Sequence, residues 1–308
     1  MSRPHPPAVK PTSALVTFLI VATGSILFAS KGVVIKLGYE AGSDALEILT
    51  LRMLFAAPLF LVMGCIGHVR ETNRMTWKDW GQVAWLGFIG YYLSALLNFA
   101  GLTYISVGLE RMLLFTYPTI VLAITAFVLK KRVTPTAWLA AATVWAGIAV
   151  AFAGENQQDA PHAIPGALLV LCSACTYATY VVMSAPVVQR LGIWRFTGWT
   201  GLSSAIYSAG QYAVVREPER LAQLPPVLYQ YGLILALFGT LLPMALLAAG
   251  LKRAGAAKFS IISAVGPVAT VVLAAWVLGE QMNVWQICGL VLTLSGGVLV
   301  SLLKGKTP

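Results

Sequence analysis

The stretch GLTYISVGLERMLLFTYPTIVLAITAFVLK (residues 101–130) has a counterpart 149 positions later, GLKRAGAAKFSIISAVGPVATVVLAAWVLG (residues 250–279). Aligned without a gap, the two stretches pair Pro118 with Pro267, and Gly90 falls on Gly239 when the same register is extended backwards. An internal repeat that covers several apolar segments predicts two structurally equivalent halves.

The composition of the chain indicates whether these two halves lie in water or in a lipid bilayer. The 308 residues are 58% hydrophobic and only 10% charged, and the mean hydropathy is +0.79. So few charges cannot cover a water-soluble surface, and the apolar segments match the roughly 20 helical residues that cross a bilayer. The predicted spans are 14–37, 45–66, 80–104, 107–129, 136–153, 164–187, 196–215, 227–251, 256–279 and 284–303.

The positions of the Lys and Arg residues predict the orientation. With a cytoplasmic N-terminus, 15 of the 21 fall in cytoplasmic segments, whereas only Arg216 and Arg220 fall in the opposite loops. The positive-inside rule therefore places both termini in the cytoplasm and the chain in the cell (inner) membrane. This bias accounts for the net charge of +10, because the loops are too short for a nucleic-acid site.

The number of spans per half determines the fold class. Each half has five, so the second half enters the membrane from the side opposite to the first. We predict an all-α integral membrane protein of ten transmembrane helices, arranged as two inverted five-helix repeats, 14–153 and 164–303. A disordered cytoplasmic tail, 1–13, precedes them.

Spans four and nine each carry a proline near the middle, Pro118 and Pro267. A central proline removes one backbone hydrogen bond and bends the helix. Such a bend serves either as a hinge during alternating access or as a static kink that improves packing.

Charged residues inside the spans of the first half are the strongest candidates for a site. They are Lys31, Arg52, Glu110 and Arg111, with Glu47 in the first turns of span two. An unpaired charge at the centre of a membrane helix costs about 3 kcal/mol, so each of them needs a partner or water. One reading is an internal salt-bridge cluster. In the other, Lys31 or Arg111 binds a substrate carboxylate, while Glu110 pairs with the other base or takes up a proton. Three bases facing two acids favour a role beyond scaffolding.

Polar and aromatic faces on neighbouring spans supply further candidate substrate-binding residues. They are Tyr91, Ser94 and Asn98 on span three, Tyr117 on span four, Tyr177 and Tyr180 on span six, and Trp199, Ser203 and Tyr207 on span seven. The spacing on span three, which is three or four residues, is typical of close packing or of a wet cavity. The ring faces suit a flat substrate moiety, although aromatic residues also pack against lipid and neighbouring helices.

Several chemistries lack the residues they need. His5, His68 and His162 fall in tails or predicted loops, so neither a histidine triad nor an intramembrane metal site is expected. No phosphate-binding glycine loop with lysine is present. We therefore expect no enzyme, no cofactor and no ATP-driven pump, but a facilitative or ion-coupled transporter, with proton coupling as one candidate.

The end of span nine carries a family resemblance. Gly279, Glu280 and Gln281 are followed by NVWQ at 283–286. This resembles the glycine and glutamate motif that closes the penultimate helix in the drug/metabolite transporter superfamily, of the type with two EamA domains. The resemblance covers residues 14–303. The first half departs from the pattern, with Lys131 where the family tends to carry Glu. Since Lys131 is predicted inside and Glu280 outside, we interpret both as topology and helix-end residues.

The resemblance implies a carrier of small metabolites, often an exporter of amino acids or similar compounds. We predict a secondary transporter that exports amino acids or related zwitterionic or aromatic compounds by alternating access, as a monomer or homodimer in the lipid bilayer. The alternatives are an exporter of nucleobases, nucleosides or drugs, and a facilitative, channel-like permease.

Overall fold

The computed structural model describes residues 11–71, 74–153 and 160–303. Throughout this part of the chain the secondary structure is helical, with no strand. Most of the predicted tail, residues 1–10, lies outside the described residues, and the first helix begins at Pro11. The helices are α1 (Pro11–Glu40), α2 (Ala45–Arg70), α3 (Trp77–Leu86), α4 (Ser94–Leu102), α5 (Val107–Leu114), α6 (Tyr117–Ala123), α7 (Pro135–Ala153), α8 (Ala160–Leu191), α9 (Ile193–Val215), α10 (Pro218–Ala222), α11 (Pro226–Ala236), α12 (Leu242–Ser263), α13 (Val265–Leu278) and α14 (Val284–Leu303).

Three π-helical segments complete the spans: π1 (Gly87–Leu93), π2 (Ile124–Val128) and π3 (Leu237–Leu241). Span three consists of α3, π1 and α4, and span four of α5, α6 and π2. Span eight consists of α11, π3 and the first part of α12, which turns at Gly255 with φ 70° and continues into span nine.

The membrane architecture predicted from composition is confirmed. Eight stretches of the described helices are long and apolar enough to cross a bilayer, and a shorter apolar stretch, Val284–Val300, lies in span ten. Span seven, α9, has 23 residues but contains many Ser, Thr, Trp and Tyr side chains, which make it less apolar. It packs along α2 inside the helical bundle.

The two ends of the bundle are named by their turns. The Gly42 end is the end at which α1 finishes and α2 begins, and the Thr76 end is the opposite one, where α2 finishes and α3 begins. Asp44 and Thr76 each form a capping box with the residue three positions on, which fixes the start of α2 and of α3.

Both repeats have the same helix interruption near the proline. In span four, Phe115 and Thr116 separate α5 from α6; in span nine, Ala264 separates α12 from α13. The repeat offset places Phe115 on Ala264, and both have ψ near zero (−2° and −14°). Pro118 lies in the first turn of α6, where a missing N–H costs least. The predicted bends are therefore present as helix breaks.

The two halves also share a π-helical distortion that the sequence did not reveal. The offset of 149 places residues 88–92 of π1 on residues 237–241 of π3. Gly90 and Gly239 lie at equivalent positions in these segments. A Cβ atom at Gly90 would overlap the ring of Tyr180, so the glycine permits the close approach of α8. π-Helical segments inside helices are frequent at functional sites.

Apolar side chains from both repeats fill the Gly42 half of the bundle. This core contains Val33, Ile35, Ile48, Leu49, Met53, Phe99, Leu102, Val107, Ala205, Leu235 and Ala274. Towards the Thr76 end, the buried side chains form separate clusters, one between α3, π1, α8 and α9 and another between α6, α7 and α14. The repeats are thus joined across the Gly42 half by a continuous core.

Spans five and ten, α7 and α14, pack closely against each other through small residues. A Cβ at Gly147 of α7 would lie 2.7 Å from the Gly289 carbonyl oxygen of α14, and a Cβ at Gly296 would lie 2.8 Å from the carbonyl oxygen of Ala140. Only small residues permit this approach. These helices form one side of the bundle.

Candidate functional site

The centre of the candidate site is the first turn of α5, in span four. Glu110 and Arg111 are both buried, with 0% and 4% of their surface exposed. Glu110 Oε1 accepts a hydrogen bond of 2.7 Å from Asn98 Nδ2, and Glu110 Oε2 lies 3.5 Å from Arg111 Nη2. The adjacent acid and base of the sequence thus form a buried ion pair, which Asn98 of α4 completes.

Helix α1 passes directly beside this pair. A Cβ atom at Gly32 would lie 3.7 Å from Glu110 Oε2 and 3.8 Å from Arg111 Nη2. Arg111 Nη2 also donates to the carbonyl oxygen of Ala29 at 3.1 Å, and the same oxygen accepts from Thr270 Oγ1 of α13 at 3.2 Å. One carbonyl of span one therefore connects span four of the first repeat to span nine of the second.

Lys31 lies on the same stretch of α1, between Ala29 and Gly32. Its side chain is half-buried and its Nζ lies 4.7 Å from the centroid of the Phe28 ring. Span eight approaches here, because a Cβ at Gly239 of π3 would lie 3.4 Å from Lys31 Cβ. The side chain of Lys31 thus starts beside π3, one of the two equivalent π-helical segments, and lies within electrostatic range of Glu110 and Arg111.

Arg52 reaches the site from α2. Only 8% of its surface is exposed, and its guanidinium carbon lies 5.4 Å from the centroid of the Phe99 ring. Phe99 follows Asn98 in α4, and Arg52 also lies within electrostatic range of Lys31 of α1. Arg52 Nε and Asn98 Oδ1 are both buried without a hydrogen-bond partner among the described residues.

Glu47 does not belong to this cluster. Its backbone N–H and carboxylate form the capping box with Asp44, and its Oε1 lies 2.8 Å from Nε of Arg220. The expectation that two acids face the three bases is therefore wrong, because Glu47 pairs with Arg220 and stabilises the Gly42 end instead. The cluster defined by Lys31, Arg52, Glu110 and Arg111, hereafter the charge cluster, has three bases and one acid.

Four of the predicted tyrosines form a continuous row next to the charge cluster. Ring centroids are 5.5 Å apart for Tyr91 and Tyr180, 5.9 Å for Tyr180 and Tyr177, and 5.4 Å for Tyr177 and Tyr117. Tyr91, in π1, lies within electrostatic range of Arg52. This tyrosine row, Tyr91–Tyr180–Tyr177–Tyr117, extends from the charge cluster along spans three, six and four.

The remaining candidates are placed elsewhere. Ser94 and Ser173 exchange hydrogen bonds of 2.7 and 3.2 Å that fasten α4 to α8. Residues of α9 contact another face of span three: Trp199 packs on Trp80 at 5.1 Å between ring centroids, Tyr207 packs on Phe88 at 5.2 Å, and Ser203 lines a shallow apolar groove beside Trp80. These three side chains of span seven therefore contact span three and are not part of the tyrosine row.

Glu280 has a role that sequence reasoning missed. Its carboxylate accepts hydrogen bonds from the backbone N–H groups of Val107, at 3.0 and 3.1 Å, and Gly108, at 3.5 Å. It thus caps the N-terminus of α5, in the other repeat, and complements the positive end of that helix dipole. Glu280 is thus a helix-end residue, as predicted, but the helix that it caps begins 173 positions away in the sequence.

The arrangement can bind an anionic group. Cationic side chains, a free amide oxygen and aromatic faces converge beside a broken helix and two π-helical segments, features that carriers use at midplane sites. Among the described residues, no group of three His, Cys, Asp or Glu side chains has the geometry of a metal site.

Comparison with known proteins agrees with this architecture. The EamA-like transporter family matches the chain twice, over residues 15–153 and 164–302. The uncharacterized transporter YcbK of Bacillus subtilis is 30% identical over 285 residues, covering 91% of this chain and 90% of that protein. The uncharacterized transporter sll1319 of a Synechocystis species is 28% identical, covering 90% and 91%. A solved structure titled "Crystal structure of protein" superposes with a TM-score of 0.62 at 18% identity over 94% of this chain and 97% of that one, a likeness of fold.

Proposed function

The chain belongs to the EamA-like transporter family, and from that premise we propose that it exports amino acids or related zwitterionic or aromatic compounds across the cell membrane by alternating access. Relatives over nearly its whole length carry the name transporter. The substrate class, the direction of transport, the cell membrane as its location and alternating access are our proposal.

The observation that carries the proposal is the charge cluster beside the tyrosine row. Burying an ion pair inside a membrane protein is costly, and a hydrophobic replacement is often at least as stable. Arg52 Nε and Asn98 Oδ1 are left without partners there, which costs further free energy. A substrate carboxylate and ammonium would satisfy these groups, while the tyrosine row would contact an apolar or aromatic side chain.

The packing of the repeats suggests how access alternates. The Gly42 end is sealed by the core shared between the repeats and by Glu280 on α5. We assign this end to the outside, with both termini in the cytoplasm, from the positions of Lys and Arg in the sequence. An exporter would load its substrate from the opposite end, the Thr76 end, which faces the cytoplasm in this orientation. Movement at the breaks near Pro118 and Pro267 would open the Gly42 end.

Flux in proteoliposomes tests this proposal. The purified protein is reconstituted and counterflow is measured for a panel of amino acids, nucleosides and cationic drugs. A carrier of amino acids should give saturable counterflow with members of that class. Conductance at rates far above conformational cycling would overturn the carrier mechanism, and counterflow limited to nucleosides or drugs would overturn the amino-acid assignment.

A further inference from the structure

The charge balance of the cluster restricts the substrate further. Lys31, Arg52 and Arg111 face a single carboxylate, Glu110. That carboxylate is already shared by Arg111 at 3.5 Å and by the Asn98 amide at 2.7 Å. In the part of the chain that the structure describes, no carboxylate oxygen lies within 4.0 Å of Lys31 Nζ or of the Arg52 guanidinium group.

The two uncompensated cations instead approach aromatic rings. Lys31 Nζ lies 4.7 Å from the Phe28 centroid and the Arg52 guanidinium carbon 5.4 Å from that of Phe99. A ring quadrupole attracts a cation, but it does not neutralise the charge. Glu47, the other acid inside a predicted span of the first repeat, pairs with its own helix cap and with Arg220. By formal charge, the cluster therefore has three bases and one acid, an excess of two.

Four buried atoms of the site lack a hydrogen-bond partner and indicate where a ligand would be bound: Arg52 Nε, Arg111 Nε, Asn98 Oδ1 and Glu110 Oε2, of which the last lies 3.5 Å from Arg111 Nη2. Arg52 Nε is a donor without an acceptor, and Asn98 Oδ1 is an acceptor without a donor. The Nδ2 atom of Asn98 is held by Glu110, which directs Oδ1 away from that carboxylate. A charged donor, a second charged donor on α1 and a neutral acceptor match two carboxylates and one ammonium group.

We infer that the substrate carries a net negative charge, and that within the amino acids this site selects those with two carboxylates. One carboxylate binds between Lys31 and Arg111, the second binds Arg52, and the ammonium group donates to Asn98 Oδ1. This inference rests on the proposed function and deepens it. A zwitterion has no net charge and would leave the excess of two unchanged. A dicarboxylic amino acid would reduce the excess by one, and a dicarboxylate without an ammonium group would reduce it by two.

The matched pairs glutamate against glutamine and aspartate against asparagine test the inference, because each pair differs by one charge at nearly constant shape. Binding and counterflow are measured on the full-length protein in liposomes. We expect the acid to bind about tenfold or more tightly than its amide, the effect of one charge-assisted hydrogen bond. Equal affinity for acid and amide would overturn the inference, while saturable counterflow of both would leave the proposed function standing. No counterflow with any of the four would overturn the inference, and failure of the whole amino-acid panel would overturn the proposed function as well.

A variant assigns the preference to Arg52. Arg52→Gln should reduce binding of glutamate about tenfold and so remove the preference for glutamate over glutamine, whereas Arg52→Lys should retain the preference. Arg216→Gln is the matched control, since this arginine pairs with Asp44 at the exposed Gly42 end. If Arg52→Gln does not fold, the wild-type pairs still decide. Glutamine transport that requires chloride would show that an inorganic anion supplies the missing charge, and it would also overturn the inference.

Discussion

Removing the carboxylate of Glu280 should open the Gly42 end. In the structure this group accepts three backbone hydrogen bonds, of 3.0, 3.1 and 3.5 Å, from the N-terminus of α5 in the other repeat. Losing a side-chain cap costs about 1–2 kcal/mol, and losing a negative charge at a helix N-terminus about 0.3–1 kcal/mol. If these contacts exist only while the Gly42 end is closed, Glu280→Ala shifts the equilibrium towards the open form by about 1–2 kcal/mol. This is about a five- to thirtyfold change in population.

Labelling of a reporter cysteine measures this shift. The four native cysteines are exposed and free, so they are first replaced by serine. Ala205 is buried in the core that seals the Gly42 end, and Ala205→Cys places a small thiol there. Its rate of reaction with a membrane-impermeant maleimide, added from outside, reports the population that is open to that side.

The expected order of labelling rates follows from the chemistry of the side chain. Glu280→Ala should react about five- to thirtyfold faster than the parent, and Glu280→Gln, which keeps an acceptor oxygen but loses the charge, should be intermediate. Gln281→Ala is the control, because its side chain is exposed in the same turn. An unchanged rate in Glu280→Ala would refute the reasoning, since the cap would then contribute equally in both conformations.

Further predictions concern other positions of the repeat. Lys130 has φ 52°, in the left-handed region where its repeat partner Gly279 has φ 67°. Lys130→Gly should therefore raise the free energy of unfolding by about 0.5–1 kcal/mol, whereas Lys131→Gly should give no gain. Equal effects of the two substitutions on thermal unfolding would contradict this prediction. Pro118→Ala should insert and fold normally but transport more slowly, and wild-type flux would make the break architectural only. Glu110→Gln should weaken the pH dependence of transport, because Glu110 is the single carboxylate of the charge cluster; an unaltered pH profile would exclude it from coupling.

The repeat and the membrane class could be predicted from the sequence because they depend on features that extend over many residues. Five spans per half, the offset of 149 and the paired prolines give the inverted architecture and the two helix breaks. The π-helical segments could not be predicted. Around Gly90 and Gly239 the sequence is almost uniformly apolar, so one extra residue in a turn leaves no visible change of period.

Pairings between side chains of distant segments could not be predicted from the sequence either. The sequence indicated that Glu110 and Arg111 need partners, but not that Glu47 is held by Arg220, 173 positions away. It also placed Trp199 and Tyr207 on a polar face of span seven without indicating which neighbour that face contacts. In a membrane helix, polar residues on one face can meet another helix as well as a cavity, and only the packing distinguishes the two.

The central claim is that the charge cluster binds the substrate, and the most direct test is the affinity of Lys31→Ala and Arg111→Ala for a transported amino acid. Both proteins are purified, their correct insertion is verified, and binding is measured beside Lys36→Ala, which removes the other lysine of α1. We expect each cluster variant to bind about tenfold or more weakly than wild type, and the control to bind normally. Unchanged affinity in both cluster variants would contradict the account and leave the cluster as architecture alone.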